Sequence, residues 1–358
     1  MRKTALAILT LLISACLQPM QAQTKWEVTK TFHLGGEGEW DYLILEPHTH
    51  RLFVPRSTHT MVIDAGSGKI LGDIPGQKVA HGVALVPEVG RGFISDGGGH
   101  GVEHGAIVVF DLKTYAVLGT IVAQPDSDGI IYDPAIGRVL VVSGDKGVLM
   151  SFRPDIDPVH GTLDAPIDLG GSPEFLASDG KGKVYINLMD KNEVAVVDLG
   201  AKKVIARWPV APGGAPVGMS IDKEKGLLFI GCRKPQKLIV MKTDDGKVIS
   251  ALPIGGNVDA TKHDKHQAFA SCGGDGTLSV ASEKSPGNFG VDQVVKTLRG
   301  ARTMELDAAT HRIFLPTAEF DPPKPGGTGR LIPKPGTFMI VVVEGHAPQA
   351  EPSTKSGN

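Results

Sequence analysis

Along most of the chain, apolar runs of three or four residues alternate with short stretches rich in Gly, Asp and Pro, the pattern of short β-strands joined by tight turns. Seven segments superpose without gaps: Glu39-Trp40-Asp41-Tyr42, Val79-Ala80-His81-Gly82, Asp126-Ser127-Asp128-Gly129, Ser172-Pro173-Glu174-Phe175, Ala215-Pro216-Val217-Gly218, Asn257-Val258-Asp259-Ala260 and Gly300-Ala301-Arg302-Thr303. Their third positions are 40 to 47 residues apart. That is the period of a four-stranded propeller blade. A second column supports the register, because Phe53, Phe93, Leu140, Tyr185, Phe229, Phe269 and Phe314 each sit at the middle of an apolar triplet. Continuous apolar runs suit strands buried on both faces.

The predicted architecture is all-β, a seven-bladed β-propeller over residues 25–345. The last repeat supplies only three strands, ending in Met339-Ile340-Val341-Val342-Val343, and the N-terminal run 25–32 is expected to supply the fourth and close the ring. Closure removes the free sheet edges through which strands associate, which points to a monomer. Residues 346–358, rich in Pro, Ser and Gly, read as a disordered tail.

Composition narrows this picture. With 46 Gly and 25 Pro among 358 residues, a helical bundle or coiled coil is excluded, since helix interiors tolerate both poorly. Lys and Arg number 37 against 39 Asp and Glu, so nothing draws the chain strongly to nucleic acid. Residues 1–22 read as an export signal, with basic Arg2-Lys3 followed by an apolar run too short to span a bilayer. Two cleavage sites compete: after Ala22, or before Cys16 in Leu12-Ile13-Ser14-Ala15-Cys16, which resembles a lipobox and would leave Cys16 lipidated. Either way the mature chain loses two basic residues and carries a charge of −4, in the periplasm or anchored to the outer membrane. There Cys232 and Cys272, at equivalent strand ends of adjacent repeats, could be bridged or could remain two buried thiols.

The runs Arg51-Leu52-Phe53-Val54, Val62-Ile63-Asp64 and Gly68-Lys69-Ile70-Leu71, echoed by Lys183-Val184-Tyr185-Ile186-Asn187 and Val196-Val197-Asp198, resemble the YVTN-repeat, YncE-like family of secreted bacterial β-propellers. The resemblance covers nearly all of the mature chain and speaks to fold more than to activity. It implies an exported protein, with nucleic-acid binding proposed for one branch. The wider superfamily includes lactonases, lyases and dehydrogenase subunits, so the fold alone does not select among them.

In this architecture the start of each inner strand meets the central channel, so Asp41, His81, Asp128, Glu174, Asp259 and Arg302 are the candidate ligand-binding residues of the channel mouth, with Val217 as the apolar seventh member. Converging charges of this kind perturb one another, in a ligand site or merely around channel water. Neighbouring loops add His59, His100 and His104, which with His81 form a candidate divalent-metal cluster. The string His100-x-x-Glu103-His104 spells a zinc-peptidase motif, but glycines at 97, 98, 99, 101 and 105 deny it the required helix. A Pro/Gly-rich insertion at 318–336, carrying Lys324, Arg330 and Lys334, is expected on the same face as a lid or a mobile flap.

The first functional expectation is a non-enzymatic binding or scaffold protein of the bacterial envelope, its partner a small molecule or another envelope protein. The alternatives are a metal-dependent enzyme of lactonase or lyase type and, least favoured by charge and an aromatic content of 5%, single-stranded nucleic-acid binding.

Overall fold

The computed structural model describes residues 24–99, 101–322 and 331–346; the signal segment with Cys16, the metal candidate His100, the tip of the insertion with Lys324 and Arg330, and all of the tail but His346 lie outside them. Antiparallel strands run from Lys25 to His346, interrupted by one short 3-10 turn at Pro87–Val89. No helix among the described residues is long and apolar enough to cross a membrane.

Each repeat's apolar triplet lies in a strand, and the central column is the best-buried part of the molecule. Phe53, Phe93, Leu140, Phe229, Phe269 and Phe314 are fully buried, and Tyr185 nearly so. These side chains meet those of the next repeat, as where Phe53 packs on Phe110 and Phe93 on Phe152. The core is therefore a ring of interfaces, and truncating one such ring to Ala removes about 3–5 kcal/mol.

Five sheets have four strands, for example Pro173–Ser178, Lys183–Leu188, Glu193–Asp198 and Lys203–Pro209. The last is completed as expected by Lys25–His33, which pairs antiparallel with Met339–His346 from Lys25↔His346 to His33↔Met339. The expected count of seven separate blades is corrected to six sheets, because the first two repeats share one six-stranded sheet. The reason lies in two long strands, Arg51–Asp64 and Ile70–Val86. Ser57 turns at φ 57° and Gly76 at φ 95° without ending either strand, and pairing passes from His59↔Pro75 to Ser57↔Ala80. The last strand of the first repeat thus continues into the first strand of the second.

Candidate ligand site at the channel mouth

Small polar side chains on the second strands set the backbone of the mouth. Ser95 Oγ donates to Asp128 O at 2.5 Å, Ser271 Oγ to Arg302 O, and Asn187 Nδ2 to Val217 O at 2.8 Å. Glycines let neighbouring strands close in: a Cβ on Gly129, beside Asp128, would lie 2.7 Å from Glu174 O. The segment carrying Asp41 is anchored by Arg56, fully buried, whose guanidinium donates to the carbonyls of Gly35, Glu37 and Gly38 at 3.2, 2.8 and 3.0 Å. It sits 3.6 Å from the centre of the Phe338 ring. Burial lowers its pKa to about 10, so it stays charged at neutral pH.

The predicted mouth residues are brought together. His81 Nδ1 lies 2.8 Å from Asp41 Oδ2 and 3.6 Å from Asp128 Oδ1. One donor atom from each of these three residues falls within 4.8 Å of the others. Burial alone would discourage a charged His81, but the Asp128 charge, the hydrogen bond and charge of Asp41, and the Asp126 charge together raise it to about 10. Burial also pushes the Asp128 carboxyl well up, opposed by His81 and assisted by Asp41 and Glu174. Both shifts point one way: the cluster retains protons that separated groups would release. Glu174 behaves similarly, raised to about 7 by burial and the Asp259 charge against the pull of Arg233.

The opposite side of the mouth is arranged differently. Asp259, 5% exposed, receives Arg233 Nη2 on Oδ1 and Arg302 Nε on Oδ2, each at 2.6 Å. Arg302 also donates to Trp40 O at 3.1 Å and Arg233 to Val258 O at 3.0 Å. Burial would lower both guanidinium pKa values, but Asp259, with Glu174 acting on Arg233 and Asp41 and Glu39 on Arg302, holds them above their ordinary level.

Beneath the charged residues, Tyr42 and Phe175 pack with ring centres 4.5 Å apart. With Leu43, Met219 and Met304 they border a residual space of about 20 Å³, room for roughly one water. Tyr42 is surrounded by charge: burial, then Asp259, Asp128, Asp41 and Glu174, push its phenol well above the usual range.

Of the predicted metal candidates, His59 lies 3.7 Å from Asp73 and His104 3.7 Å from Glu103; the one group with metal-ligand spacing among the described residues is Asp41, His81 and Asp128, which includes neither. Long side chains on surface strands and glycine-rich loops found their own local carboxylates. Cys232 and Cys272 are both free and buried. The insertion starts and ends in a paired stem, with Phe320 bridged to Pro333 and Lys334 N donating to Glu319 O at 2.8 Å. Arg233 and Tyr42 were missed. Four residues after the central residue of each second strand stand Ser57, Gly97, Gly144, Met189, Arg233, Gly273 and Ala318; Arg233 is the only charged member, and that contrast was the available signal.

No protein-family model and no curated protein matches the chain. Among solved structures, a chain of hydrazine synthase from Kuenenia stuttgartiensis is similar at 12% identity and TM-score 0.66, covering 79% of this chain and 94% of that one. A chain of the mitotic checkpoint complex is similar at 13% identity and TM-score 0.68, covering 88% and 96%. These likenesses and the sheet arrangement define the class: an all-β propeller built of four-stranded blades. In all, 1452 solved chains match, so the fold by itself selects no activity.

Proposed function

We propose that this propeller is a binding protein that takes a small polar ligand at its channel mouth. The observation that carries the reading is the convergence of Asp41, His81, Asp128, Glu174, Asp259 and Arg302 over the Tyr42–Phe175 floor, with the carboxyl groups of Asp128 and Glu174 held above their ordinary range. Burying carboxyls that must hold protons is costly for a scaffold and is repaid where a ligand supplies their hydrogen-bond partners. The test is capture: the purified protein is incubated with an extract of its source cells, washed, and its bound small molecules identified by mass spectrometry beside an Asp128→Asn/Glu174→Gln variant. A compound retained by the parent and lost from the variant is expected. Equal retention by both, or none by either, overturns the reading.

A second reading rests on the Asp41, His81 and Asp128 donor atoms. Two carboxylates and an imidazole suit a divalent cation, which would polarise a lactone or uronate carbonyl, with Glu174 near neutrality as general acid or base. Titration with zinc or manganese would then release the His81 proton along with one-to-one binding; absence of both results removes this alternative. The envelope location, the export signal and the YVTN-repeat kinship belong to the same proposal, supported by residues 1–22 and the repeated Val-Ile-Asp and Tyr-Ile-Asn runs. Cell fractionation checks the location.

A further inference from the structure

We propose that the mouth ligand is an organic monoanion, a carboxylate carried on a flat apolar body, seated in a cleft beside the ring; this rests on the binding reading above. The cleft has a volume of about 670 Å³, within the usual range of small-molecule sites. Arg233, Arg299 and Arg302 line one part of it, and Phe320, Leu331 and Pro333 another. The apolar wall is braced by the Phe320↔Pro333 bridge and by the Trp40 ring, whose centre is 6.2 Å from that of Phe320.

The cationic wall is built in advance. Asp259, Val258 O and Trp40 O engage Nε and Nη2 of Arg233 and Arg302, leaving Nη1 of each without a hydrogen bond among the described residues. Guanidiniums fixed in this way offer donors at little entropic cost, and their planar fork matches a carboxylate. Arg299 is exposed and makes no side-chain ion pair among the described residues. The indole N–H of Trp40, also at the cleft, is buried with no acceptor. Among the described residues, Asp259 and Glu39 stand against three arginines, a net charge near +1. That balance suits one negative charge, whereas a dianion would be repelled by the neighbouring carboxylates. The half-buried Phe320, Leu331 and Pro333 then call for an apolar portion on the same molecule.

The probe is 2-naphthoate, titrated calorimetrically into the full chain, with 2-naphthamide and inorganic phosphate as comparisons. The carboxylate should bind at least about tenfold more tightly than the amide, the equivalent of one charge-assisted hydrogen bond. Arg299→Gln, at an exposed site, should weaken it by a similar factor, and Leu331→Asp should weaken it while both variants retain the parent's circular dichroism. Equal affinity for the amide, tighter binding of phosphate, or no naphthoate binding overturns the proposal. A captured cellular ligand that is cationic, yet lost from the Asp128→Asn/Glu174→Gln variant, overturns the anion class and leaves the binding reading standing. Failure of both capture and naphthoate binding removes both.

Discussion

On one side of the mouth a single carboxylate lies between two guanidiniums; on the other, two carboxylates lie against one imidazole, with a third carboxyl close by. All but Arg233 grow from equivalent places in successive repeats, so the scaffold geometry is shared and the difference lies in the charge count. Where cations are in excess, each oxygen of Asp259 accepts from a guanidinium and the unit is a fixed strut. Where carboxyls are in excess, protons must make up the balance, and the groups stay poised to donate them in hydrogen bonds to a ligand.

The largest expected effect breaks the strut. Asp259→Ala leaves Arg233 and Arg302 without their shared partner, and loss of one partner from a buried pair costs about 3–5 kcal/mol; because both arginine side chains are somewhat under one-third exposed (30% and 28%), the lower end applies. Urea denaturation should show it, and a change below about 1 kcal/mol would mean the two sides do not differ in kind. Next comes pH. Since His81 rises in the fold from 6.5 to about 10, its stabilisation is complete below about pH 6.5 and is lost as pH climbs through 10. A His81→Gln variant should lack that decline, which is on the order of 2 kcal/mol after solvent screening.

A smaller effect sharpens the acidic side. Glu174 rises from 4.5 to about 7, so the fold favours its protonated form, and the penalty for ionising it is absent below pH 4.5 and complete above 7. Glu174→Gln should therefore stabilise the protein at pH 8 by about 1–2 kcal/mol and leave it unchanged at pH 4. Thermal melts at the two pH values check the sign. The smallest effect concerns Cys232, which precedes Arg233 yet is pushed up to about 12 by burial, as Cys272 is to about 11. Neither should react with iodoacetamide at pH 8 until the protein unfolds. Rapid native labelling of Cys232 would show that Arg233 is less tied to Asp259 than its hydrogen bonds imply.

Much of this was legible in the repeat itself. A strict column spacing places equivalent residues at equivalent heights, which is why the sequence alone groups Asp41, His81, Asp128, Glu174, Asp259 and Arg302. The column cannot reveal which members pair, since that depends on side-chain reach: Arg233 enters from a different strand end and neutralises Asp259. Nor could spacing show that the strands through Ser57 and Gly76 would keep their pairing, merging two repeats into one sheet. The partners of His59 and His104 were hidden for the same reason. Sequence proximity to the mouth says nothing about the carboxylate each finds locally, Asp73 and Glu103.

The division between a proton-holding side and an ion-paired side is tested most directly at His81. With histidine labelled at carbon and nitrogen, the NMR signals of its ring report protonation as pH is raised from 5 to 11. A proton-holding cluster keeps the ring as imidazolium at pH 8, with a midpoint near 10, and Asp128→Asn lowers that midpoint. A midpoint at or below 6.5 in the parent protein would contradict it.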